Sequence, residues 1–362
     1  MLSISKFFNK KRVLITGHTG FKGSWLTLCL KDLGADILGV SNNIPTKPSH
    51  FKVSKINKEI KSKKVDVANL KKIKKIIYKF EPDFIFHLAA QSLVKESYKS
   101  PIETWRTNLI GTLNILETLK KYKKKVTVVL ITSDKSYKNI EQKKGYKEND
   151  VLSGIDPYSA SKSSADIAIQ SYFNSYFKKK RNITIGVGRA GNVVGGGDWS
   201  KDRLIPDCMR AWSKGKKVII RNPNSTRPWQ HVLEAVWGYI ILAINLKSNK
   251  KINGEPFNFG PNTKKNHKVI ECVKIIKKIW PDIKWRIEKR KNKKFKEASL
   301  LKLNSEKAKK YLKWQTILNF DETMQMTALW YKNYYKKNSK VISYNQIKYY
   351  KRVFKKRLKI KI

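Results

Sequence analysis

The sequence predicts an α/β protein with a doubly wound parallel sheet and a smaller C-terminal α/β domain. Short runs rich in β-branched residues alternate with longer amphipathic segments, and these runs lie at 12–17, 35–41, 83–90 and 126–133. They lack the alternation of apolar and polar residues that a half-exposed strand shows, so helices are expected to cover both faces of the sheet. The length of 362 residues and the 40% apolar content allow one large or two moderate domains.

A change of composition near residue 188 predicts where the domains divide. The loops at 191–207 and 221–231 are rich in Trp, Asn, Gly and Pro, and such loops often bind ligands. The predicted units are a first domain of residues 1–188 plus 230–260, a second domain of 189–229 plus 261–335, and a basic tail of 336–362. We expect only partial order in the tail, and removal of the chain after Tyr335 is expected to leave the site intact.

The net charge of +52, from 79 Lys and Arg against 27 Asp and Glu, raises the question of an anionic partner. The basic residues are spread along the whole chain, whereas a nucleic-acid footprint is clustered on one face. No specific nucleic-acid partner is therefore expected. A basic scaffold for RNA or anionic membranes, on a decayed enzyme fold, remains the alternative from another functional class.

Cysteine use and hydropathy favour a cytoplasmic protein. Cys29, Cys208 and Cys272 are widely spaced and form no metal-binding motif, so three reduced, buried thiols and no metal site are expected. The basic residues near the start precede only a short apolar run, and no run approaches the roughly 18 apolar residues of a membrane span. Neither a signal peptide nor a transmembrane segment is predicted.

A glycine-rich turn at 17–23 predicts a dinucleotide site. Gly17, Gly20 and Gly23 follow the first strand and open a helix, so the backbone can approach a pyrophosphate at the helix N-terminus. An ordinary tight turn is the alternative. The candidate cofactor contacts in this turn are Gly17, Thr19, Gly20, Phe21, Lys22 and Gly23.

The end of the second predicted strand favours NAD over NADP. An acid that bonds the ribose is expected about 20 residues after the glycine turn, but Ser41 and Asn42 stand there instead. Either can bond ribose hydroxyls, and no Arg is present to hold a 2′-phosphate. Asp66 is a candidate for the adenine amino group or, alternatively, a loop-start cap. Asn108 either bonds across the site or is an ordinary helix residue. Ala89 and Ala90 are small enough to let a cofactor pass.

Tyr158 and Lys162 are one helical turn apart, which places a phenol and an ammonium on one face. A neighbouring cation stabilises a phenolate, so the pKa of the phenol is expected to fall from its usual ~10. Tyr176 and Tyr344 also begin a Tyr-x-x-x-Lys pattern, but neither closely follows a strand that ends in reactive groups. The strand before Tyr158 ends in the Thr-Ser-Asp-Lys segment 132–135, at the edge where parallel sheets bind ligands.

These motifs together resemble the extended short-chain dehydrogenase/reductase family, and within it the nucleotide-sugar 4,6-dehydratases, in particular the branch that uses CDP-glucose. The resemblance spans about residues 9–350. It rests on GHTGFKGSWL, HLAAQSLV, TSDK, YSASK, GRAGNVVGGGDW, DRLIPD, TRPWQHVLE and FNFGP. It implies a Rossmann-type sheet, a C-terminal substrate domain, NAD, a homo-oligomer (dimer or tetramer), and a place in the deoxysugar biosynthesis that supplies lipopolysaccharide O-antigens.

The resemblance also implies the catalytic roles. Ser133 would bond the sugar O4, Tyr158 would take its proton, and Lys162 would clamp the nicotinamide ribose and lower the pKa of the phenol. Asp134 would be the acid that helps the 6-hydroxyl to leave. Lys135 stands where most sugar-nucleotide dehydratases carry Glu, and the CDP-glucose branch shares this replacement. A lysine must be neutral to take a proton.

Softer assignments concern the substrate. Gln91, Asn192, Arg203 and Arg227 resemble positions that hold the sugar, the nucleotide and the diphosphate, and a guanidinium suits a diphosphate. An ordinary surface charge is the alternative for each Arg. His87 and His231 are expected to be structural. An epimerase or reductase would share the Tyr158 motif but not an acid and amine after Ser133, so Asp134 and Lys135 favour a dehydratase.

Overall fold

The central sheet of the chain is parallel throughout, which confirms the predicted fold class. The computed structural model describes residues 4–142, 144–261, 267–288, 301–335 and 341–358. Its strands are β1 (Arg12–Thr16), β2 (Asp36–Ser41), β3 (Lys61–Lys64), β4 (Phe84–His87), β5 (Val126–Ile131), β6 (Ile183–Ala190), β7 (Val193–Val194), β8 (Val218–Ile220), β9 (Thr226–Arg227), β10 (Gln230–His231), β11 (Pro256–Phe259), β12 (His267–Lys268) and β13 (Trp285–Ile287). The main sheet has seven strands in the order β11-β6-β5-β4-β1-β2-β3.

Helices lie between and around these strands. They are α1 (Ile4–Phe8), α2 (Phe21–Asp32), α3 (His50–Val53), α4 (Leu70–Phe80), α5 (Val94–Lys99), α6 (Pro101–Trp105), α7 (Gly111–Lys120), α8 (Pro157–Tyr172), α9 (Leu204–Trp212), α10 (Val232–Ser248), α11 (Val269–Ile279), α12 (Glu306–Leu312), α13 (Phe320–Tyr335) and α14 (Ser343–Leu358). Short 3₁₀ turns occupy Ile56–Lys58, Asp134–Ser136 and Lys250–Ile252, and π-helical turns occupy Arg106–Ile110 and Phe173–Phe177.

Two apolar cores explain why the central strands are apolar along their whole length. Along β5, Val129 and Ile131 pack into one core, whereas Val128 and Leu130 pack into the core on the opposite face. Successive side chains of a strand point to opposite faces, so both sets must be apolar when helices cover both sides. This burial leaves the carboxyl ends of the strands as the place where polar groups collect.

The C-terminal half adds small sheets beside the main one. Within the described ranges these are β7 with β10, β9 with β12, and β8 with β13. In the described part of the C-terminal half, β11 returns to the main sheet and pairs with β6. The division into two domains at the boundaries given above stays a prediction.

Two further expectations concern cysteines and the membrane. Cys29, Cys208 and Cys272 are buried free thiols, as predicted. Among the described helices, none combines the length and the apolar character that crossing a bilayer requires. In the same part of the chain, no group of three or more His, Cys, Asp or Glu side chains is arranged to hold a metal ion.

The expectation of a partly ordered tail is wrong for residues 343–358, which form α14. Ile347, Tyr350 and Phe354 of this helix are fully buried. Lys351 pairs with Asp32 of α2 at 2.7 Å. The helix thus completes the core on one side of the sheet, and a chain ending after Tyr335 would expose that surface.

Glu234 of α10 is the polar anchor for this docking. It is 1% exposed, and its carboxylate accepts hydrogen bonds from the backbone of Ile317 at 3.0 Å, the backbone of Leu318 at 2.7 Å and the phenol of Tyr350 at 2.7 Å. Burial raises the pKa of Glu234 to about 7, and these hydrogen bonds oppose the rise.

We predict that Glu234→Gln removes a pH-dependent part of the stability. Because the folded pKa lies above the ordinary 4.5, the stability from this group is full below pH 4.5 and is lost as pH rises through about 7. Gln keeps the shape and an acceptor oxygen but does not titrate. Urea unfolding across this interval should show a falling free energy of unfolding in the wild type and a flatter profile in the variant.

Glu322 supplies the matched control for this measurement. Hydrogen bonding from Arg357 of α14 lowers its pKa, so its titration lies below the interval. Glu322→Gln should therefore keep the wild-type slope. A Glu234→Gln profile as steep as that of the wild type would contradict the assignment.

Candidate active site

The turn after β5 carries three of the predicted catalytic residues. Ser133 and Asp134 are buried and Lys135 is half-buried. The Ser133 hydroxyl accepts from the Lys135 backbone at 3.2 Å, which begins the 3₁₀ turn, and donates to Asp134 Oδ1 at 3.0 Å. A hydroxyl, a carboxyl and an amine therefore lie on three consecutive residues just after the end of β5.

The start of α8 places the other two. Asp156 caps the helix by accepting from the backbone of Ser159 at 3.0 Å and from its hydroxyl at 2.6 Å, and Pro157 occupies the first helical position. Tyr158 and Lys162 then lie one turn apart on the buried face. The Lys162 ammonium donates to the carbonyl oxygen of Ile131 at 3.2 Å, which ties α8 to the end of β5.

The pKa of the Tyr158 phenol shifts in the direction opposite to the expected one. Burial raises the pKa of the Tyr158 phenol, and hydrogen bonding with Ser133 only partly offsets this. A lowered pKa was expected, so that expectation is wrong for the chain by itself: the desolvation of a buried phenolate outweighs the local hydrogen bond. Burial, followed by the charge of Lys22, lowers the pKa of Lys162 to about 8.

Lys22 interacts with charged groups beyond the glycine turn. Its ammonium interacts with the charges of Asp134, Arg203 and Asp198, and burial lowers its pKa to about 8. The sequence assigned Lys22 to the cofactor alone. The charge of Lys22, which lies in the first turn of α2, acts on Asp134 as well.

The glycine turn fits a dinucleotide. Gly17 has a φ of +74°, and a Cβ there would lie 2.6 Å from the Ala89 nitrogen, while a Cβ on Gly23 would lie 2.1 Å from the Gly17 carbonyl oxygen. These close approaches require glycine. A Cβ on Gly20 would meet only the Gly17 carbonyl oxygen, at 3.4 Å. The N-terminus of α2, which begins at Phe21, therefore has open space at the place where phosphates bind.

The residues predicted for the ribose and adenine lie at the ends of β2 and β3. The Ser41 hydroxyl is 3.0 Å from His18 Nδ1 and 3.4 Å from the Thr19 backbone nitrogen. The Thr19 hydroxyl donates to the Asn43 carbonyl oxygen at 2.6 Å. Asp66 accepts from the Ala68 backbone at 2.8 Å, the loop-cap geometry that was its alternative. Its contact with adenine stays a prediction.

Asn108 bonds the backbone of Gln91, and the Gln91 side chain bonds the backbone of Leu93. The Asn108 amide accepts from the Gln91 backbone at 2.9 Å and donates to the Ser161 hydroxyl at 2.9 Å on α8. The Gln91 side chain donates to the Leu93 carbonyl oxygen at 3.1 Å and accepts from the Leu93 backbone nitrogen at 2.6 Å. Asn108 thus connects the loop after β4 to helix α8. A substrate contact for Gln91 stays a prediction.

The two small residues predicted to let the cofactor pass and the two histidines expected to be structural lie at β4 and β10. Ala89 and Ala90 follow β4 and are half-buried. His87 is buried and bonds Thr16 at 2.8 Å and Thr112 at 3.2 Å, as a structural histidine does. His231 is also buried and caps α10 through Leu233.

Of the two arginines predicted to hold the substrate, Arg203 interacts with the catalytic residues, whereas Arg227 lies on strand β9. Arg203 pairs with Asp198 at 3.0 Å, and its charge also acts on Tyr158, so it belongs to the catalytic cluster. Arg227 lies on β9 and donates to the Thr226 carbonyl oxygen at 2.9 Å. Asn192 is exposed on the loop after β6. Asp198 was missed from the sequence, although its place in the Gly-Gly-Gly-Asp-Trp loop was a signal.

The parallel sheet, the glycine turn and the Tyr158 and Lys162 pair define a Rossmann-fold enzyme of the extended short-chain dehydrogenase/reductase class. The chain belongs to the GDP-mannose 4,6 dehydratase family, whose model matches residues 14–327. It is 43% identical over 331 residues to the CDP-glucose 4,6-dehydratase of Salmonella typhimurium, covering 90% of this chain and 92% of that protein.

Solved structures share the fold. The dTDP-glucose 4,6-dehydratase of Bacillus anthracis, in complex with NAD, is 24% identical with a TM-score of 0.72, covering 89% of this chain and 96% of that one. The UDP-glucuronic acid 4-epimerase of Bacillus cereus, in complex with UDP-glucuronic acid and NAD, is 20% identical with a TM-score of 0.74, covering 89% and 99%.

We predict that Asp156→Ala lowers both stability and turnover, because the cap places Tyr158. Loss of an N-cap costs about 1 kcal/mol. Asn69 caps α4 by accepting from the Lys72 backbone at 3.0 Å, far along the chain from the catalytic turn, so Asn69→Ala should lower stability alone. Urea unfolding and steady-state turnover separate the two. Asp156→Ser keeps a cap and should restore turnover; equal turnover in both alanine variants would contradict this role.

Proposed function

We propose that the chain is an NAD-dependent hydro-lyase that converts CDP-glucose to CDP-4-keto-6-deoxyglucose. The observation that carries this proposal is the buried turn that sets Asp134 and Lys135 beside Ser133, because it adds an acid and an amine to an oxidation site. The 43% identity with the Salmonella enzyme supports CDP-glucose as the substrate. The related dehydratase solved with NAD supports the cofactor.

Two alternatives are less well supported. A nucleotide-sugar epimerase or reductase uses a tyrosine and lysine pair but has no need for the acid and amine at 134 and 135. A basic scaffold for RNA or membranes has no need for a buried, hydrogen-bonded Ser133 beside Tyr158. Dehydratases of dTDP-, UDP- or GDP-hexoses catalyse the same kind of reaction, and the comparison of substrates below separates them from the proposal.

The first half of the reaction oxidises the sugar at C4. When bound, NAD supplies the hydride acceptor, and later the donor, of the reaction. Tyr158 removes the proton of the 4-hydroxyl, and Ser133 bonds the same oxygen. Because burial raises the pKa of Tyr158, this base depends on neighbouring positive charge. The charge of Arg203 lowers the pKa, and we assign a further contribution to the Lys162 ammonium, one helical turn away. The residues proposed to hold NAD are Gly17, Thr19, Gly20, Phe21, Lys22, Gly23, Ser41, Asp66, Ala89, Ala90, Asn108, Tyr158 and Lys162.

The second half eliminates water. The C4 carbonyl makes the C5 proton acidic, and Lys135 in its neutral form takes that proton directly or through water. Asp134 gives its own proton to the 6-hydroxyl, and the C6–O bond breaks with release of water while the electron pair of the C5–H bond forms a C5=C6 double bond. The hydride taken from C4 then returns to C6, and the proton held by Lys135 returns to C5, which completes the 4-keto-6-deoxy sugar. Burial raises the pKa of Asp134, which suits an acid, while the charges of Lys135 and Lys22 oppose the rise.

The remaining assignments concern substrate binding and location. Gln91, Asn192, Arg203 and Arg227 are proposed to contact the sugar, the nucleotide and the diphosphate. Arg203 has the strongest support, because its charge acts on Tyr158. We place the enzyme in the cytoplasm, where nucleotide sugars are made.

A second copy of the chain is the proposed partner, as a dimer or tetramer. Helices α5, α6, α7 and α8 pack together on one side of the sheet. These helices, with the π-helical turn between α6 and α7, expose several apolar side chains: Tyr98 at 57%, Ile102 at 77%, Ile110 at 42% and Ile167 at 52%. An apolar helical face of this kind is typical of an interface between subunits.

We predict that the purified protein with NAD converts CDP-glucose to a 4-keto-6-deoxy product without net cofactor reduction, because the hydride removed at C4 returns at C6. The alkali-labile absorbance of the product reports the reaction. CDP-, dTDP-, UDP- and GDP-hexoses are compared in parallel. Stoichiometric NADH, or turnover of another nucleotide sugar in place of CDP-glucose, would contradict the proposal.

Tyr158→Phe is expected to lower turnover by about 10²–10⁴-fold, the usual contribution of a general base, while NAD and CDP-glucose still bind. The ring keeps its packing and loses only the proton acceptor. Tyr176→Phe is the matched control, since Tyr176 begins another Tyr-x-x-x-Lys pattern but is 46% exposed. Steady-state turnover and binding titrations measure both variants. A wild-type rate in Tyr158→Phe would move the base to another residue.

A further inference from the structure

A fully buried ion pair lies beneath the catalytic turn and has no part in the mechanism above. Arg189 of β6 and Asp166 of α8 are each 0% exposed. The guanidinium binds the carboxylate through two hydrogen bonds, from Nε to Oδ2 at 2.8 Å and from Nη2 to Oδ1 at 2.7 Å. Such a two-point contact fixes direction as well as distance.

This pair holds the catalytic turn at both ends. Thr132, the residue before Ser133, donates its hydroxyl to Asp166 Oδ2 at 2.9 Å. Tyr137, the residue after the 3₁₀ turn, accepts from Arg189 Nη1 at 2.8 Å, and its ring lies 5.0 Å from the guanidinium carbon. The turn that carries the serine, the acid and the amine is therefore tied at both ends to this pair of side chains.

The same carboxylate acts on the catalytic lysine. Asp166 follows Lys162 by four residues on α8, so the two lie on one helical face. The negative charge of Asp166 favours the ammonium form of Lys162, in opposition to burial and to the charge of Lys22. The ion pair thus acts both on the catalytic turn after β5 and on Lys162 of α8.

Stability alone does not explain this pair. Replacing a buried ion pair by well-packed apolar residues is often neutral or stabilising. Here every charged group is further satisfied, since Gln170 donates to Asp166 Oδ1 at 3.1 Å and Arg189 Nη1 donates to the Glu148 carbonyl oxygen at 2.8 Å. A network of this completeness specifies one arrangement of the groups it joins.

We propose that Asp166 and Arg189 are positioning residues: together they fix the catalytic turn against α8, and the Asp166 carboxylate keeps Lys162 in its ammonium form during C4 oxidation. The inference rests on the proposed function. Loss of the pair displaces Ser133 and Asp134 relative to Tyr158, and a displacement of about 1 Å can cost about 10²-fold in rate.

The groups that face Lys162 come from several elements. Lys22 approaches from α2 and His87 from β4, while Tyr158 and Asp166 share α8 with it. Burial lowers the pKa of His87 to about 3, so this histidine stays neutral in the working range. Burial lowers the pKa of Lys22 to about 8 as well, and its charge acts on Lys162 in the direction opposite to that of Asp166. Lys22 is therefore an internal control.

The first test needs no substrate. Competitive acetylation of the purified holoenzyme by acetic anhydride over a pH series, read by mass spectrometry of the peptide that contains Lys162, gives the midpoint at which that amine becomes reactive. Asp166→Asn should lower this midpoint by about one pH unit or more, since a nearby carboxylate is removed. Lys22→Met should raise it. An unchanged midpoint in Asp166→Asn would overturn the proposal.

The second test separates position from stability. The single variant leaves a guanidinium buried and unpaired and is destabilised, so the double variant Asp166→Leu with Arg189→Met is compared with the wild type. It should unfold at a similar urea concentration but turn over CDP-glucose about a hundredfold more slowly, with little change in KM. Arg286→Gln with Glu288→Gln removes an ion pair at the end of β13 whose two side chains are more than half exposed, and this variant should keep wild-type turnover.

The outcomes of the two tests are distinct. Wild-type turnover in a stable double variant would overturn the positioning role. If the wild type itself fails to dehydrate CDP-glucose, the proposed function is wrong, and the acetylation midpoints still decide whether Asp166 sets the protonation of Lys162.

Discussion

The hydrogen bond from the Lys162 ammonium to the Ile131 carbonyl oxygen joins helix α8 to the end of strand β5, and the arrangement of the site depends on this junction. The strand delivers Ser133 and Asp134 immediately afterwards, and the helix delivers Tyr158 one turn before the lysine. Strand β5 packs into two apolar cores on opposite faces of the sheet, and helix α8 packs into one of them through Ile169. The reactive groups are therefore placed by rigid elements: Tyr158 and Lys162 lie on helix α8, and Ser133, Asp134 and Lys135 lie in the short turn that follows strand β5.

The sheet and the cluster around β5 were predictable because their signals are local. Apolar runs predict buried strands, and the spacing of Tyr158 and Lys162 predicts a shared helical face. The pKa of Tyr158 could not be predicted in this way, since it depends on how much water the folded chain excludes. The Arg189 partner of Asp166 is 23 residues away, on a different element, and no local pattern connects the two.

The tail shows how composition can hide a fold element. Helix α14 is so rich in Lys and Arg that its overall hydropathy is low, yet Ile347, Tyr350 and Phe354 recur at helical spacing and are buried. The same division of roles applies to Lys22, whose stem lies in the glycine turn while its charge reaches Asp134. Most of the surplus positive charge covers the surface, and a few of these cations enter the site.

One active site contains two separable sets of catalytic residues. Ser133, Tyr158 and Lys162 serve the oxidation, and Asp134 and Lys135 serve the elimination. Single-turnover absorbance of Lys135→Met with NAD and CDP-glucose tests this most directly. The account predicts that reduced nicotinamide and a 4-keto-hexose form and persist, because elimination lacks its base. Normal loss of water, or failure of C4 oxidation as well, would contradict the division and make Lys135 a binding residue.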